Sequence, residues 1–321
     1  MIKDFFEMKC YAAYINTNIR LKCSSGGIFS SLAYDVIVAG GVVYGVEFSE
    51  DWKSAKYCRV SDLYNLDKLY GSKYIQANVG NTYHSVRQDL MSGLIVLFSG
   101  TTCQINGLKL FLKKDYPNLL CVDVICHGVP SQKLWQSYLA SKPYRIENVS
   151  FRCKKNGWYD SGIEENGMYI PQKQHTYMSL FLKDYCLRPS CYNCVSKKNK
   201  QSDITLGDLW GVRDIAQEIN DNLGISSVII RSEKGEKAFL KLNVVCKEIT
   251  YEQAVSENPA EYSSAVEPVQ RKLFYNYLNK HSYEDTVKMF LAPSVFAKVV
   301  FKTLKITRKA KRLIKKLLGK N

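Results

Sequence analysis

Short buried strands alternating with helices constrain the fold of this chain more than any other feature. LIVLFSG (94–100) and LLCVDVICHG (119–128) have the continuous apolar character of buried strands, and TTCQINGLKLFLKKD (101–115) between them has a helical pattern. Short apolar runs separated by helices are typical of parallel strands that are covered on both faces. We therefore predict an α/β fold: a mixed, largely parallel sheet flanked by helices, with a cysteine-bearing loop region and peripheral C-terminal helices.

The pattern changes after about residue 150, and this change guides the expected division of the chain. Strand-like pieces, a segment rich in Gly and Asn and a pair of cysteines follow, without any internal repeat. We expect one domain over residues 1–250, with its N-terminal part ending near residue 150 and its C-terminal part covering 151–250. Residues 251–291 are expected to form peripheral helices, and residues 292–321 a basic amphipathic tail.

The composition excludes several classes of protein. Apolar residues make up 46% of the 321 residues, which is enough for a large core, and no apolar run is long enough to span a membrane. The eleven cysteines are an odd number in a long chain, which does not fit a secreted disulfide scaffold. The N-terminus has no export signal, so we expect a cytoplasmic protein. Three cysteines in apolar or strand-like runs are assigned to the core: Cys58, Cys121 and Cys246.

Four cysteines are candidates for a metal centre. Cys103 and Cys126 each follow a predicted buried strand, and Cys191 and Cys194 lie in the loop LRPSCYNC (187–194). Ligands gather at the carboxyl ends of parallel strands, so these four thiols from three segments can converge into one Cys₄ set. Such a set suits zinc or a [4Fe–4S] cluster equally by ligand type. The alternative is that Cys103 and Cys126 are only small residues at the starts of helices.

Two polar loops and one histidine are candidates for a cofactor site. SSGG precedes a helix, where backbone N–H groups can bind a phosphate, and GSKYIQ offers a charge, a stacking ring and an amide that suit an isoalloxazine ring. An ordinary capped helix and a solvated loop are the alternatives. His127 is a candidate proton donor or hydrogen-bond anchor, with a surface histidine as the alternative. The candidate cofactor-binding residues are Ser24, Ser25, Gly26, Gly27, Gly71, Ser72, Lys73, Tyr74 and Gln76.

Taken together and in order, these motifs resemble one known family. The chain strongly resembles the coenzyme F420 hydrogenase/dehydrogenase beta-subunit family from about residue 10 to residue 250. The motifs that carry the resemblance are SSGGIFS (24–30), GGVVYGVEF (40–48), GSKYIQ (71–76), VLFSGTTCQINGLKLFL (96–112), CHGVPS (126–131), GWY (157–159), LRPSCYNC (187–194) and SDITLGDLWG (202–211).

The resemblance implies an iron–sulfur flavoprotein oxidoreductase. Members of the family bind FAD and a [4Fe–4S] cluster and pass electrons between an iron–sulfur partner and a two-electron acceptor, which is the deazaflavin coenzyme F420 in archaeal members. Many bacterial relatives resemble genes of surface-polysaccharide biosynthesis. The expected roles are therefore cluster ligation by the four cysteines named above, FAD binding by the two loops, and catalysis by His127 and Lys73. The alternative is a Cys₄ metal-binding or assembly protein without turnover.

Three departures from the family pattern have consequences. The N-terminal ferredoxin-like cysteine segment of many relatives is absent, so we expect a separate ferredoxin-like electron donor alongside a small-molecule acceptor. Thr102 stands where the family usually has Pro, which we expect to loosen the turn that holds Cys103. Cys153 stands where relatives tend to have an acidic residue, so it is either a candidate spare ligand or a neutral change.

The last segment predicts a membrane contact. From Lys302 onward there are nine basic residues and no acidic one, and subtracting these nine charges from the net +15 leaves +6 for residues 1–301. The excess charge is therefore local, and no nucleic-acid partner is expected. Within residues 294–320, an apolar face is predicted at Phe296, Val300, Leu304, Thr307, Ala310, Ile314 and Leu317. This pattern indicates either a solvated or docked terminal helix or a peripheral contact with an anionic membrane at its inner face.

Overall fold

Residues 7–317 are described by a computed structural model, with side chains as far as residue 310. The strands are β1 (Lys9–Tyr14), β2 (Val42–Phe48), β3 (Ala55–Val60), β4 (Ala77–Asn78), β5 (Val96–Thr101), β6 (Leu119–Val124), β7 (Val149–Cys153), β8 (Gly162–Glu165), β9 (Met168–Pro171), β10 (Ile204–Asp208), β11 (Ser226–Ile230) and β12 (Val245–Ile249). The α-helices are α1 (Ile19–Lys22), α2 (Ile28–Val38), α3 (Thr82–Met91), α4 (Thr102–Leu112), α5 (Gln132–Ala140), α6 (Thr176–Leu182), α7 (Val212–Ile215), α8 (Glu233–Phe239), α9 (Tyr251–Val255), α10 (Arg271–Leu278), α11 (Tyr283–Leu291) and α12 (Val295–Leu317).

Nine strands form one mixed sheet in the order β12-β1-β11-β10-β6-β5-β2-β3-β4. The central strands β10, β6, β5 and β2 are parallel, whereas β11, β1 and β12 continue the sheet in antiparallel fashion on one side and β3 pairs antiparallel with β2 on the other. The predicted fold class is confirmed. Strands from both sides of residue 150 lie in this one sheet, because β10, β11 and β12 join strands of the first half.

The alternation of side chains along the central strands produces two cores. Leu97 and Leu120 point to the face covered by α2 and α8, while their successors Phe98 and Cys121 point to the face covered by α3 and α4. Every one of these four side chains is at least nine-tenths buried. This double covering explains why the central strands have continuous apolar sequences rather than alternating ones.

The assignment of three cysteines to the core is correct in part. Cys121 is fully buried in β6, and Cys58 in β3 is half-buried. Cys246 is exposed, so its assignment to the core was wrong. The reason is its position in β12, which is the edge strand of the sheet and turns alternate residues toward solvent.

A second, three-stranded antiparallel sheet, β7-β8-β9, lies over the carboxyl edge of the central strands. Phe151 of β7 packs against Phe48 at the end of β2, with ring centroids 6.3 Å apart, and Arg152 of β7 reaches Asp208 at the end of β10. The small sheet and the helices α5, α6, α10 and α11 enclose their own aromatic core. The small sheet and these four helices therefore cover the carboxyl edge of the central strands.

The last helix, α12, contacts the body through one side only. Ala297 is buried, and the ring of Phe301 stacks on Phe290 of α11 with centroids 5.4 Å apart. No helix within residues 7–317 is both long and apolar enough to cross a membrane.

Candidate functional site

The turn that carries Cys103 joins β5 directly to α4. The backbone N–H of Thr101 donates to Gln104 Oε1 at 2.9 Å in a capping box, which starts the helix one residue before the cysteine. Thr102 is buried, and its hydroxyl donates to Asp123 Oδ2 of the neighbouring strand at 2.5 Å. The hydroxyl of Thr102 ties the turn to β6, and the loosening expected relative to a proline stays a prediction.

The cysteine loop is attached to the segment that follows β6. Pro130 and Leu187 form a β-bridge, and the N–H of Arg188 donates to the carbonyl of Val129 at 2.9 Å. In return, the N–H of Val129 points at the sulfur of Cys191 at 3.4 Å. Backbone pairing therefore brings Cys191 next to the CHGVP segment that contains Cys126, although the two cysteines are far apart in sequence.

The four candidate cysteines are close enough to influence one another electrostatically. The pKa of Cys126 is raised to about 12, first by burial and then by the thiols of Cys103, Cys191 and Cys194. The pKa of Cys191 is likewise raised by burial and by the thiols of Cys103 and Cys194. Cys103 and Cys194 therefore lie near enough to Cys126 and Cys191 to raise the pKa of those two thiols, and ligation of a metal centre by the four cysteines stays a prediction.

Among the described residues, no group of three or more His, Cys, Asp or Glu side chains is arranged to hold one metal ion.

Two neighbours of the cysteine group were missed by the sequence reasoning. The hydroxyl of Thr101 lies 3.2 Å from the sulfur of Cys103. The ammonium of Lys197 donates to the carbonyl of Cys126 at 2.6 Å and to the carbonyl of Ala260. Burial lowers the pKa of Lys197, and the thiols of Cys126 and Cys194 oppose that change. A cation in this position compensates negative charge on the sulfurs, yet SKKNK reads as an ordinary solvated run in sequence.

Cys153 does not belong to this group. Its thiol faces Glu164 Oε2 at 3.5 Å across the small sheet, and burial raises its pKa. The candidate spare ligand is therefore placed on β7 against a carboxylate, away from the four thiols.

The two predicted cofactor loops are adjacent. The backbone N–H of Ser72 donates to Ser24 Oγ at 2.8 Å, and the hydroxyls of Ser24 and Ser72 lie 2.9 Å apart. Ser25 Oγ donates to the carbonyl of Ile225 at 2.8 Å. Gly71 has a φ of 72°, in the left-handed region, and Gln76 is exposed. Two loops that are distant in sequence thus form one continuous polar surface at the carboxyl edge.

The fold itself requires the two glycines of SSGG. A β-carbon at Gly26 would lie 2.2 Å from the carbonyl oxygen of Ala13 and 2.8 Å from the backbone nitrogen of Ser226. Gly27, at φ 84°, precedes α2, and a β-carbon there would lie 2.7 Å from Ile15. These close approaches explain the glycines without any ligand.

The Lys73 ammonium makes its hydrogen bonds mainly within its own loop. Its ammonium donates to the carbonyls of Lys68 at 2.9 Å and Tyr70 at 2.7 Å, and burial lowers its pKa to about 8. The next residue is anchored as well, because the hydroxyl of Tyr177 donates to the carbonyl of Tyr74 at 2.6 Å. One N–H bond of the Lys73 ammonium is left over for a ligand.

His127 joins the cysteine group to the cofactor loops. Its Nε2 lies 2.5 Å from Asp184 Oδ1, and its ring contacts Phe181 edge-on with centroids 5.5 Å apart. Phe181 is in turn 5.5 Å from the ring of Tyr74. One aromatic ring therefore separates the histidine beside Cys126 from the GSKYIQ loop.

Two further side chains that the sequence reasoning missed hold the SSGG turn. The ammonium of Lys154 donates to three carbonyls, those of Arg20, Ser25 and Leu223, at 2.7 to 2.9 Å. The indole N–H of Trp158 donates to the carbonyl of Ser24 at 3.2 Å. The available signal was FRCKKNGW, in which basic residues cluster toward the end of a strand before a tryptophan.

Comparisons with known proteins bear on the fold and the family of the chain. The fold is similar to that of one chain in a xenon-derivatized structure of the F420-reducing [NiFe] hydrogenase complex from Methanosarcina barkeri. The TM-score is 0.50, and the two chains are 18% identical over 89% of this chain and 93% of that one. The protein is therefore an α/β protein whose fold is similar to that of a chain in a hydrogenase complex.

Residues 94–256 match the model of the family described as the C terminus of the coenzyme F420 hydrogenase/dehydrogenase beta subunit. The matched segment is half of the chain, and the protein belongs to this family. A search of curated proteins finds no match. Membership places the chain among relatives of redox subunits.

Proposed function

We propose that this protein is an iron–sulfur flavoprotein oxidoreductase that passes electrons between a [4Fe–4S] cluster, FAD and a two-electron acceptor. The observation that carries the proposal is that four neighbouring thiols and two joined polar loops lie at one sheet edge, linked through His127, which follows Cys126, and the ring of Phe181, which contacts Tyr74. A cluster transfers single electrons and a flavin exchanges one or two, so the two groups need to be neighbours.

The proposed cluster ligands are Cys103, Cys126, Cys191 and Cys194. Soft thiolates are the ligands that iron–sulfur clusters use, and hydrogen bonds to their sulfurs tune the redox potential. The N–H of Val129 and the hydroxyl of Thr101 are in position to donate such bonds to Cys191 and Cys103. The ammonium of Lys197 would offset part of the negative charge.

The proposed flavin site is the surface formed by SSGG and GSKYIQ. The hydroxyls of Ser24 and Ser72 share one hydrogen bond, which leaves one hydroxyl hydrogen for a ligand, and Ser25, whose hydroxyl donates to Ile225, borders this surface. Lys73 adds a positive charge with one N–H group free for a phosphate or for the reduced flavin. His127 is proposed to hold and deliver a proton at Nδ1, with Asp184 orienting its ring through Nε2. Lys73 and His127 are thus the proposed catalytic residues.

The proposed partners are a separate ferredoxin-like electron donor and a small-molecule acceptor. The similar fold belongs to a chain of a multi-subunit hydrogenase complex, which supports partner proteins in general. Family membership suggests an F420-type deazaflavin as acceptor, and a substrate of a polysaccharide pathway is the second candidate. The competing function is a Cys₄ metal-binding or assembly protein without turnover.

A redox titration of anaerobically purified protein loaded with FAD tests the proposal. We expect dithionite to bleach both the flavin band and the broad iron–sulfur absorbance, and an electron acceptor to restore both. Cys191→Ala should lose the iron–sulfur band, whereas Cys186→Ala, which removes a fully buried thiol outside the group, should keep it. A loaded protein without any redox response would favour the binding protein.

We also propose that the protein attaches reversibly to the inner, anionic face of a membrane through α12. Val300 and Leu304, which the sequence pattern placed on the free apolar face, are half-buried instead. The exposed apolar residues are Val295, Phe296, Val299 and Ile306, which are 57 to 78% exposed. Ile314, Leu317 and Lys320 of the predicted tail lie outside the described side chains.

A basic stripe borders this exposed apolar side. Lys298, Lys302, Lys305 and Lys309 recur at helical spacing and are all exposed. Arg308 differs, because it donates to the carbonyl of Glu267 at 2.6 Å and helps to dock the helix. A helix that docks by one side and exposes apolar and basic stripes on its other sides suits binding to an anionic surface. Each lysine near that surface adds about 1 kcal/mol to the binding free energy.

Sedimentation with phosphatidylglycerol vesicles at low salt tests the attachment. The full chain should sediment, whereas a chain stopped at residue 293 and the double variant Phe296→Gln/Ile306→Gln should stay in solution. Ala297→Ser, on the docked side, is the matched control and should sediment. Equal binding by all forms, or by none, would refute the attachment and leave the redox proposal standing.

A further inference from the structure

Arg152 has hydrogen-bond donors to spare, unlike the other cations around the SSGG turn. Arg20 donates to both oxygens of Asp221 and to the carbonyl of Gly224, and Lys154 uses all three of its donors on carbonyls. Arg152 gives only its Nη1 to Asp208 Oδ2, at 2.7 Å. Its Nε and Nη2, together with Asp208 Oδ1, are buried and make no hydrogen bond of normal geometry among the described residues, although the Tyr74 hydroxyl is near enough to the guanidinium to raise the pKa of Arg152 after Asp208 does.

Leaving such groups unpaired is costly. Arg152 is only 8% exposed, and a buried polar atom without a hydrogen bond costs about 1–3 kcal/mol, more when the group is charged. Three such atoms on one ion pair indicate that a partner from outside the chain completes the arrangement.

The ion pair lies between the two proposed cofactor sites. Asp208 ends β10, whose neighbours in the sheet are β11 and β6. The SSGG turn is hydrogen-bonded to the start of β11 through Gly26, and Cys126 follows β6. Adjacent strands are about 4.8 Å apart, so the backbone of Asp208 is about one strand spacing from Ser226, which binds the SSGG turn, and from the segment that carries Cys126.

A flat apolar surface adjoins the ion pair. The ring of Trp210 stacks on the buried Trp158 with centroids 4.7 Å apart, and the guanidinium of Arg152 lies 4.9 Å from the centre of Trp210. Trp210 is 41% exposed, so part of its ring is open to a ligand. Planar rings stack on such a surface.

The donor and acceptor pattern selects the kind of ligand. Arg152 offers two N–H donors and Asp208 offers one acceptor. An imide edge, in which an N–H group stands between two carbonyls, complements this set. A phosphate would also pair with the arginine, but the carboxylate beside it would repel a second anion.

We propose that Arg152 and Asp208 bind the imide edge of an isoalloxazine-type ring. The inference rests on the proposed flavin function and specifies which residues bind the polar edge of the ring. A bound flavin and a deazaflavin acceptor both have this edge. In either case the free side of Arg152 donates to one ring carbonyl, and Asp208 Oδ1 accepts from the ring N–H beside that carbonyl.

Fluorescence titrations of the full-length protein test this inference. In one arm flavin-free protein is titrated with riboflavin and with ADP, which carries the pyrophosphate of FAD without the ring. In the second arm FAD-loaded protein is titrated with 5-deazariboflavin. Lost hydrogen bonds to charged groups predict that Arg152→Met and Asp208→Asn each weaken ring binding at least about tenfold. ADP binding should stay unchanged.

Matched controls separate this effect from general damage. Arg59→Met removes an arginine that pairs with Asp89 at the far side of the sheet, and Lys155→Met removes an exposed cation from the same segment. Both should bind the rings like wild type, and circular dichroism should show that all variants are folded. Arg152→Lys, which keeps the charge without the forked donors, should also weaken ring binding.

The outcomes discriminate between the readings. If the Arg152 and Asp208 variants bind riboflavin more weakly, the site belongs to the flavin. If they bind only 5-deazariboflavin more weakly, the site belongs to the acceptor. ADP binding that weakens with Arg152→Met and strengthens with Asp208→Asn would indicate a phosphate and overturn the inference. Wild-type ring affinity in the variants would overturn it while leaving the flavoprotein proposal intact. A wild-type protein that binds no ring would overturn both.

Discussion

Replacing Glu261 should cost a large fraction of the stability of this protein. The carboxylate of Glu261 is only 2% exposed and pairs with both Lys200 and Arg231, which are themselves 6% and 17% exposed. Removing one member of a buried ionic group leaves the remaining charges unpaired, at a cost of about 3–5 kcal/mol. We therefore expect Glu261→Gln to lower the free energy of unfolding by about 3–5 kcal/mol at neutral pH.

The same substitution should affect the cysteine group. Glu261 follows Ala260, whose carbonyl binds Lys197, and it precedes Ser264, whose hydroxyl accepts from the N–H of Cys194 at 2.9 Å. A loosened 260–264 segment would release both anchors.

Urea denaturation followed by circular dichroism measures the stability change. Glu267→Gln is the matched control, because its ion pair with Arg271 spans 3.8 Å and Glu267 is 46% exposed, so its loss should cost less than about 1 kcal/mol. Equal midpoints for the two variants would refute the reasoning that burial of the ionic group, rather than the presence of an ion pair, sets the cost.

Three further predictions follow from single contacts. Gly26→Ala should destabilise the fold by about 2 kcal/mol or more in urea and weaken flavin binding, because its β-carbon would meet backbone atoms that cannot move aside. The pKa of Glu165 is lowered to about 2, because hydrogen bonds from His175, Tyr138 and Lys142 outweigh the effect of burial. Relative to Glu165→Gln, the wild type should therefore lose about 3 kcal/mol of stability as the pH falls from about 4.5 to about 2, measured by denaturation at each pH. Cys153→Ser should keep the wild-type iron content, since Cys153 faces Glu164 instead of the cysteine group.

The central sheet was predictable because its sequence signal is local. Apolar runs with intervening helices identified β5, α4 and β6, and the carboxyl-edge rule then placed Cys103 and Cys126 together. The antiparallel strands were harder to predict. β1 contains KCYAAY near the N-terminus and pairs with β11, which lies in the last third of the chain, and no local pattern encodes that pairing.

The candidate site was predictable where a residue type has a distinctive chemistry. Cysteines and glycine-rich turns stand out in sequence, whereas Lys154, Lys197 and Arg152 resemble surface residues until their burial is known. Gly26 shows the converse. Its sequence suggested a ligand, and the structure shows that backbone packing against Ala13 already requires it.

The terminal helix shows how docking changes the meaning of a pattern. Periodicity identified an apolar face that included Val300 and Leu304, but these residues lie toward the body of the protein. The exposed apolar side is the neighbouring one, with Val295 and Val299. Helical spacing gives the angle between residues, and only tertiary contacts decide which side is covered.

The most direct test of the central claim is elemental and flavin analysis of the protein purified without oxygen. We predict about four irons and about four acid-labile sulfides per chain, retained FAD, and loss of the iron but not the fold in Cys126→Ala. One zinc per chain without iron or flavin would contradict the assignment of this cysteine group to an iron–sulfur flavoprotein.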